Sequence, residues 1–291
     1  MPELFSTLLA PYVGMWLSNA MRILMSFSAG LSILASSTMA VNIQHSMTRS
    51  GNPPADTTLT FPKDSIQHYV TPWWCVDEGN RLRRGRLINA YIPYIPQQPS
   101  VLIAEGREEP TEHSRINYKI TPFNIKDPPQ APRLPVAALP INEKERLFVY
   151  KTKKRPAIVL NCGGTAVDKS LRIGAASWQT TLTISIAPYF GTDGDGTRAG
   201  WREEFVTRIR HAEYPQYLWD ILPIGGTSSS VLRLDQTMPI GKDLGAFSMT
   251  KYFLSEDALQ VLDEWREWLD LGRLADTSTL SLFRSQWKPD Q

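Results

Sequence analysis

Apolar and polar positions alternate in different rhythms along this chain, and each rhythm predicts a different kind of element. Thr180–Ala187 sets Leu182, Ile184 and Ile186 against Thr181, Thr183 and Ser185, the period of two of a half-buried strand, closed by Pro188-Tyr189-Phe190-Gly191. Lys151–Cys162 has another rhythm: Lys151, Lys153, Lys154 and Arg155 form a charged loop, Pro156 opens a strand, and Ala157-Ile158-Val159-Leu160 is apolar at both parities. A strand apolar on both faces is covered on both faces, so this stretch is expected at the centre of the fold. Leu87–Ile92, Leu147–Tyr150 and Ser230–Ile240 read as further strands, with Tyr69–Val76 ahead of them. Trp201–Ile209 shows helical spacing. Ala258, Val261, Leu262, Trp265, Trp268 and Leu269 show it over a longer span, with Ser255 as N-cap, Glu256 and Asp257 in the first turn, and Gly272 at the C-terminal stop.

Breakers divide the rest. Residues 93–145 hold ten of the 22 prolines, which excludes a regular helix or a central strand, so this stretch is expected to be an irregular insertion with one short strand near Ile116–Ile120. A second insertion is expected at 190–226. Residues 47–64, with Pro53, Pro54 and Pro62 among small polar residues, read as a flexible linker before a single domain spanning 65–285. Residues 1–46 differ from everything after them: Leu, Met, Ser and Ala dominate, and no Lys, Arg, Asp or Glu stands between Ile23 and Thr48. Two readings apply to them. They are an upstream extension without structural role before a cytoplasmic domain, or residues 21–40 direct secretion or membrane anchoring, with Arg22 before an apolar run and Thr38-Met39-Ala40 resembling a cleavage site.

The chemistry-bearing residues narrow the function. A hydrophobic fraction of 42% over 291 residues excludes a disordered chain, and a net charge of +2 makes the placement of charge more informative than its sum. The cationic loops come early, at Arg81, Arg83, Arg84, Arg86 and Lys151–Arg155, whereas the outer face of the last helix carries Asp263, Glu264, Glu267 and Asp270. If the two basic runs feed neighbouring strands, eight positive charges line one edge, as a phosphate-binding rim or as a solvated edge that discourages strand aggregation. Cys75 and Cys162 lack metal-ligand spacing and read as reduced structural thiols, and the four histidines are scattered. Asp193, Asp195 and Glu204 suggest a calcium loop, but Arg198 occupies the position where the tight turn needs glycine, so no metal is expected.

Taken in order, Arg84-Gly85 before a strand, Arg155-Pro156-Ala157-Ile158-Val159-Leu160, a strand ending at Pro188, and Leu234-Asp235-Gln236 before a terminal amphipathic helix resemble the MazF/PemK toxin family over roughly residues 81–270. The resemblance implies a mainly β fold with flanking helices, an SH3-like barrel with a C-terminal helix. It also implies a type II toxin that cleaves single-stranded RNA without metal or other cofactor, with a homodimer and a small antitoxin protein as partners. The arginine heading the family's RP strand corresponds to Arg155, and the threonine that family members carry two residues after the strand-ending proline falls on Phe190.

Metal-free RNA cleavage, in which the 2′-hydroxyl attacks its own phosphate, needs a base, an acid and a cation for the phosphoryl oxygens. Arg155 is expected as that cation, because a planar guanidinium grips phosphate bidentately, with Arg84, Arg86, Lys153 and Lys154 binding RNA around it. Phe190 supplies no proton, and Thr192, Ser185 and Tyr189 are the nearby hydroxyls. The alternative is a catalytically silent barrel that binds nucleic acid or a protein partner. Tyr214–Asp220 reads as a packed surface loop rather than a base-stacking platform.

Overall fold

The computed structural model describes residues 59–79, 81–107, 109, 111, 115–127, 145–194, 199–226, 228–242 and 245–287. The expectations for residues 1–46 and for most of the linker lie outside these. Strand exceeds helix, 35% against 24%, and the main sheet is antiparallel and strongly curled, a half-barrel.

The basic stretch is part of a strand rather than a loop. Strand β6 (Thr152–Asn161) is ten residues long and takes Lys153, Lys154 and Arg155 into its ladder. Its partner is β2 (Arg86–Pro93), in a register that sets Arg155 opposite Ala90 and Lys153 opposite Ile92. Pro156 therefore lies inside the strand, one residue before the point where the second ladder begins at Ala157. That ladder joins β7 (Thr183–Gly191), which runs through Pro188 instead of ending there. The other edge of β7 changes partner around this proline. Residues 183–186 pair with β10 (Met238–Gly241) and residues 189–191 with β9 (Ser229–Arg233). No ladder on that edge needs the N–H that proline lacks. The single strand expected over Ser230–Ile240 is split in two by a 3₁₀ turn at Leu234–Gln236.

The full path is β1 (Trp74–Val76), β11 (Phe247–Leu254), β2, β6, β7, β9 and β8 (Tyr217–Ile221), so β6 is the central strand, as its two-sided apolar pattern predicted. Its parities separate two cores. Ala157 and Val159 pack with Ile88, Ala90, Ile92, Ile184 and Ile186, joined by Met238 and Ile240 from β10 and Phe247 from β11. Strands from opposite ends of the path β11-β2-β6-β7-β10 thus meet in one apolar cluster, which is what curls the sheet. Ile158 and Leu160 face the other way, into a larger core with Leu87, Tyr189, Leu254 and the helices.

Two helices cover that larger core. Helix α3 (Glu256–Leu271) starts where the Ser255 hydroxyl accepts a 3.1 Å hydrogen bond from the Ala258 N–H, and it stops at Gly272, whose φ of +67° favours glycine. Trp265 is 1% exposed. Helix α4 (Thr279–Trp287), which the spacing did not predict, is capped by the Glu264 carboxylate of α3, accepting from the Leu280 N–H at 2.9 Å. Gly85 needs its residue type as well: its φ is +77°, and a Cβ there would lie 2.9 Å from the Leu259 side chain of α3.

The small elements complete the picture. Helix α1 (Ile66–Tyr69) puts Ile66 and Val70 into the larger core, and α2 (Glu203–Arg210) lays Val206 and Ile209 on Trp219, Ile221 and Val231. The expected linker ends early, because Leu59 and Phe61 pack against these cores and Asp64 binds Arg210 and His211. Burial works against the charge on Asp64, but its two partners outweigh it and hold the carboxyl below its ordinary range. Within residues 93–145 the proline-rich reading missed one element. Strand β3 (Ser100–Arg107) pairs with the expected strand, β4 (Ile116–Pro122), and with β5 (Leu147–Val149) in a separate three-stranded sheet. Among the described residues no helix is long and apolar enough to cross a membrane.

Candidate nucleic-acid interface

The two basic runs do not form one rim. The strands they feed are neighbours, but antiparallel neighbours begin at opposite ends, and Arg86 lies four positions along β2 from the residue facing Arg155. At ~3.4 Å per residue that is roughly 14 Å. Each run then takes a separate role.

Arg84 and Arg86 hold the fold together. The Arg86 side chain is fully buried, donating to the backbone oxygens of Arg81, Asp77 and Thr250 at 3.0–3.2 Å and to the Asp77 carboxylate at 2.5 Å. A guanidinium so enclosed reaches no phosphate, so the expectation of RNA contact at Arg86 is withdrawn. Arg84 donates to the Leu160 carbonyl at 3.1 Å and pairs with Asp263 on α3. It ties the residues just ahead of β2 to β6 and to the acidic helix. Arg83 follows the same pattern, stacked at 3.9 Å on the Phe253 ring and paired with Glu256.

The run on β6 is different. Lys153 and Lys154 are exposed, Arg155 is half-buried, and the strand's period of two puts Lys153 and Arg155 on one face and Lys154 on the other. Two residues beyond the Ala157–Pro188 pair, Arg155 meets Phe190 across the strands, and its guanidinium carbon lies 4.1 Å from the ring centroid. Tyr94, just after β2, comes within 5.7 Å of the same guanidinium. Phe190 pairs onward with Val231, which brings the diagonal neighbour Arg233 to 5.8 Å from the Phe190 ring. Arg233 stands opposite Tyr217 on β8, 5.0 Å from that ring, and donates two hydrogen bonds, 2.8 and 2.6 Å, to the Asp235 carboxylate. The fork is made by the 3₁₀ turn that interrupts the strand. Two arginines from non-adjacent strands thus flank one aromatic ring. No family model, no curated protein and no solved structure matches this chain.

The hydroxyls near Phe190 are held elsewhere. Tyr189 points to the opposite face, fully buried, and donates to Asp220 at 3.1 Å. Thr192 is buried at the end of β7, where its hydroxyl bonds to the Ser229 carbonyl at 3.1 Å and to the Ser229 hydroxyl. Ser185 is half-buried inside the ladder, opposite Pro239 and Asn161. What the sequence reading missed is Arg233. Its signal was present in the spacing Arg233-x-Asp235, which reads as a strand ending until the turn folds the carboxylate back onto the guanidinium.

A buried acid lies behind this face. Asp220 is fully buried on β8, accepting from the Trp73 indole at 3.2 Å, the Tyr189 hydroxyl at 3.1 Å and the Ile221 N–H at 2.8 Å. Burial pushes its carboxyl up to about 7, against the pull of these neutral donors. It is sealed from solvent, which makes it part of the scaffold rather than of the interface. Cys75 and Cys162 are free, with burial raising both thiols above their ordinary range. Among the described residues no group of three or more His, Cys, Asp and Glu stands close enough to hold a metal ion, and part of the suspected calcium loop lies outside them.

Proposed function

We propose that this chain is a PemK-like, SH3-type barrel that binds single-stranded RNA across the Arg155–Phe190–Arg233 face and cleaves it without a metal ion. The observation that carries the reading is the pair of guanidinium groups set at 4.1 and 5.8 Å from the Phe190 ring. Paired cations on a half-buried face suit a phosphodiester, and the ring between them suits a base. The curled sheet centred on the Arg-Pro strand, the Leu234–Gln236 turn and the amphipathic helix over the larger core support the family assignment. In the reaction, a bond forms between the 2′-oxygen and phosphorus and the bond from phosphorus to the 5′-oxygen breaks. Proton removal from the 2′-hydroxyl is answered by proton delivery to the leaving oxygen. Arg155 and Arg233 stabilise the phosphoryl oxygens, and Asp235, exposed beside Arg233, is the carboxylate this face offers for the proton.

A second reading, a barrel that binds RNA without cutting it, is favoured by Phe190. Its ring takes the place of the family's threonine and contributes only a π-face to Arg155. One experiment separates the two: purified protein is incubated with long single-stranded RNA in EDTA, alongside Arg155→Lys and Arg155→Ala. Cleavage that falls in Arg155→Lys, which keeps the charge but lacks the fork, supports the enzyme. Binding without cleavage, with a salt slope lowered by about 0.7 in Arg155→Ala, supports the silent module. Affinity and salt slope unchanged in both variants would remove Arg155 from any RNA site and leave neither reading standing.

A further inference from the structure

The face around Arg155 does not stop at Arg233. Tyr217 touches both Trp201 and Phe205, with ring centroids 5.9 and 5.8 Å apart, Trp201 stacks on Phe205 at 5.5 Å with planes 16° apart, and Tyr214 lies 5.4 Å from Phe205. Arg208 closes the row, 5.3 Å from the Tyr214 ring. Tyr94, Arg155, Phe190, Arg233, Tyr217 and Trp201 therefore form an unbroken succession of cations and rings, and each of the six is half-buried, neither sealed in the core nor standing free.

The sheet dictates this row. Arg155, Phe190, Val231, Arg233 and Tyr217 share one face by register, so the row crosses β6, β7, β9 and β8, stepping two residues along β9 from Val231 to Arg233. Four strands spaced ~4.8 Å apart make a track of roughly 14 Å, about four nucleotides at a stacked rise of ~3.4 Å. The apolar underside of α2 anchors its far end: Val206 and Ile209 are buried against β8, which leaves Trp201 and Phe205 at the margin of that small core. A core alone calls for apolar side chains. It does not call for arginines inserted between rings in a line.

We propose that Trp201, Phe205 and Tyr217 form a base-stacking subsite that extends the Arg155 face, so that a single strand crosses the sheet with its phosphates on Arg155 and Arg233 and its downstream bases on these rings. This rests on the RNA reading above and adds where the strand goes and what holds its bases. Every base has a π-face, so the subsite is tolerant of sequence, and its contribution is independent of salt where that of the arginines is not.

The test uses the full chain and fluorescein-labelled 2′-O-methyl oligouridylates of three and ten nucleotides, which lack the attacking hydroxyl and stay intact during anisotropy titrations. Trp201→Leu keeps an apolar side chain ahead of α2 while removing the ring, Trp201→Phe restores a ring, and Tyr217→Leu tests the middle of the row. The expected result is a five- to tenfold loss of affinity for the 10-mer in Trp201→Leu and Tyr217→Leu, with the salt slope unchanged, little change for the 3-mer, and recovery in Trp201→Phe. Arg155→Ala should weaken both oligomers and lower the slope. Ten-mer affinities equal to wild type in Trp201→Leu and Tyr217→Leu, beside a weakened Arg155→Ala, would overturn the subsite and leave the RNA reading intact. Absence of binding by the wild-type chain would overturn both.

Discussion

Asp220→Asn gives the sharpest check on the energetics, because the perturbation changes one proton and almost no volume. In the folded chain the carboxyl is sealed among Trp73, Tyr189 and Ile221 and titrates near 7, against an ordinary value of 3.8. The folded state therefore holds its proton more tightly than the unfolded state does. Between about pH 4 and pH 7 the native chain carries the proton that the unfolded chain has released, so stability falls as pH rises through this window and levels off above about 7. Raising the carboxyl from 3.8 to about 7 corresponds to a decline on the order of 4 kcal/mol, an upper figure for a carboxyl that retains three hydrogen-bond donors. Asparagine cannot ionise, so Asp220→Asn should lose this decline. The variant also turns an amide N–H₂ towards donors the carboxylate accepted from, which costs about 1–3 kcal/mol at every pH, and the Tyr189 hydroxyl relieves part of that by reversing. Urea unfolding of both proteins at half-unit steps from pH 4.5 to 8.5 reads the difference directly. The two curves should converge or cross as pH rises. Parallel curves across the window would show that Asp220 is ionised in the fold throughout, and the account of its burial would be wrong.

Three further outcomes follow from the packing. Trp265→Ala, which empties the centre of the larger core, should cost about 3–5 kcal/mol in denaturant unfolding, and Trp265→Phe should cost far less because the buried indole N–H has no partner among the described residues. A near-neutral Trp265→Ala would take α3 off the sheet. Arg86→Ala should destabilise by about 3–5 kcal/mol, since it leaves Asp77 and three backbone oxygens without the donor they share, while RNA affinity per folded molecule stays unchanged; loss of affinity in the folded variant would return Arg86 to the interface. Ser255→Ala should lower stability by about 1 kcal/mol through the lost N-cap bond, and an unchanged midpoint would show that α3 is held by its packing alone.

What the sequence determined by itself was local and periodic. The two-sided apolar run from Ala157 to Leu160 identified the central strand, and the cap, period and terminal glycine of Glu256–Leu271 identified the covering helix, because burial on a given face and satisfaction of helix ends are written into neighbouring residues. What only the tertiary structure decided was which charges meet. Two basic runs of similar composition came to opposite uses because antiparallel pairing separated their ends, leaving one among backbone oxygens and the acids Asp77 and Asp263 and the other beside aromatic rings. The partnership of Arg155, Phe190 and Arg233 joins residues far apart in sequence through register alone, and no pattern within a single segment encodes a register between segments. Asp220 makes the same point from the inside: in sequence it closes the stretch Tyr214–Asp220 that reads as a packed surface loop, and only its place on β8, with Trp73 and Tyr189 closed over it, makes it a buried acid.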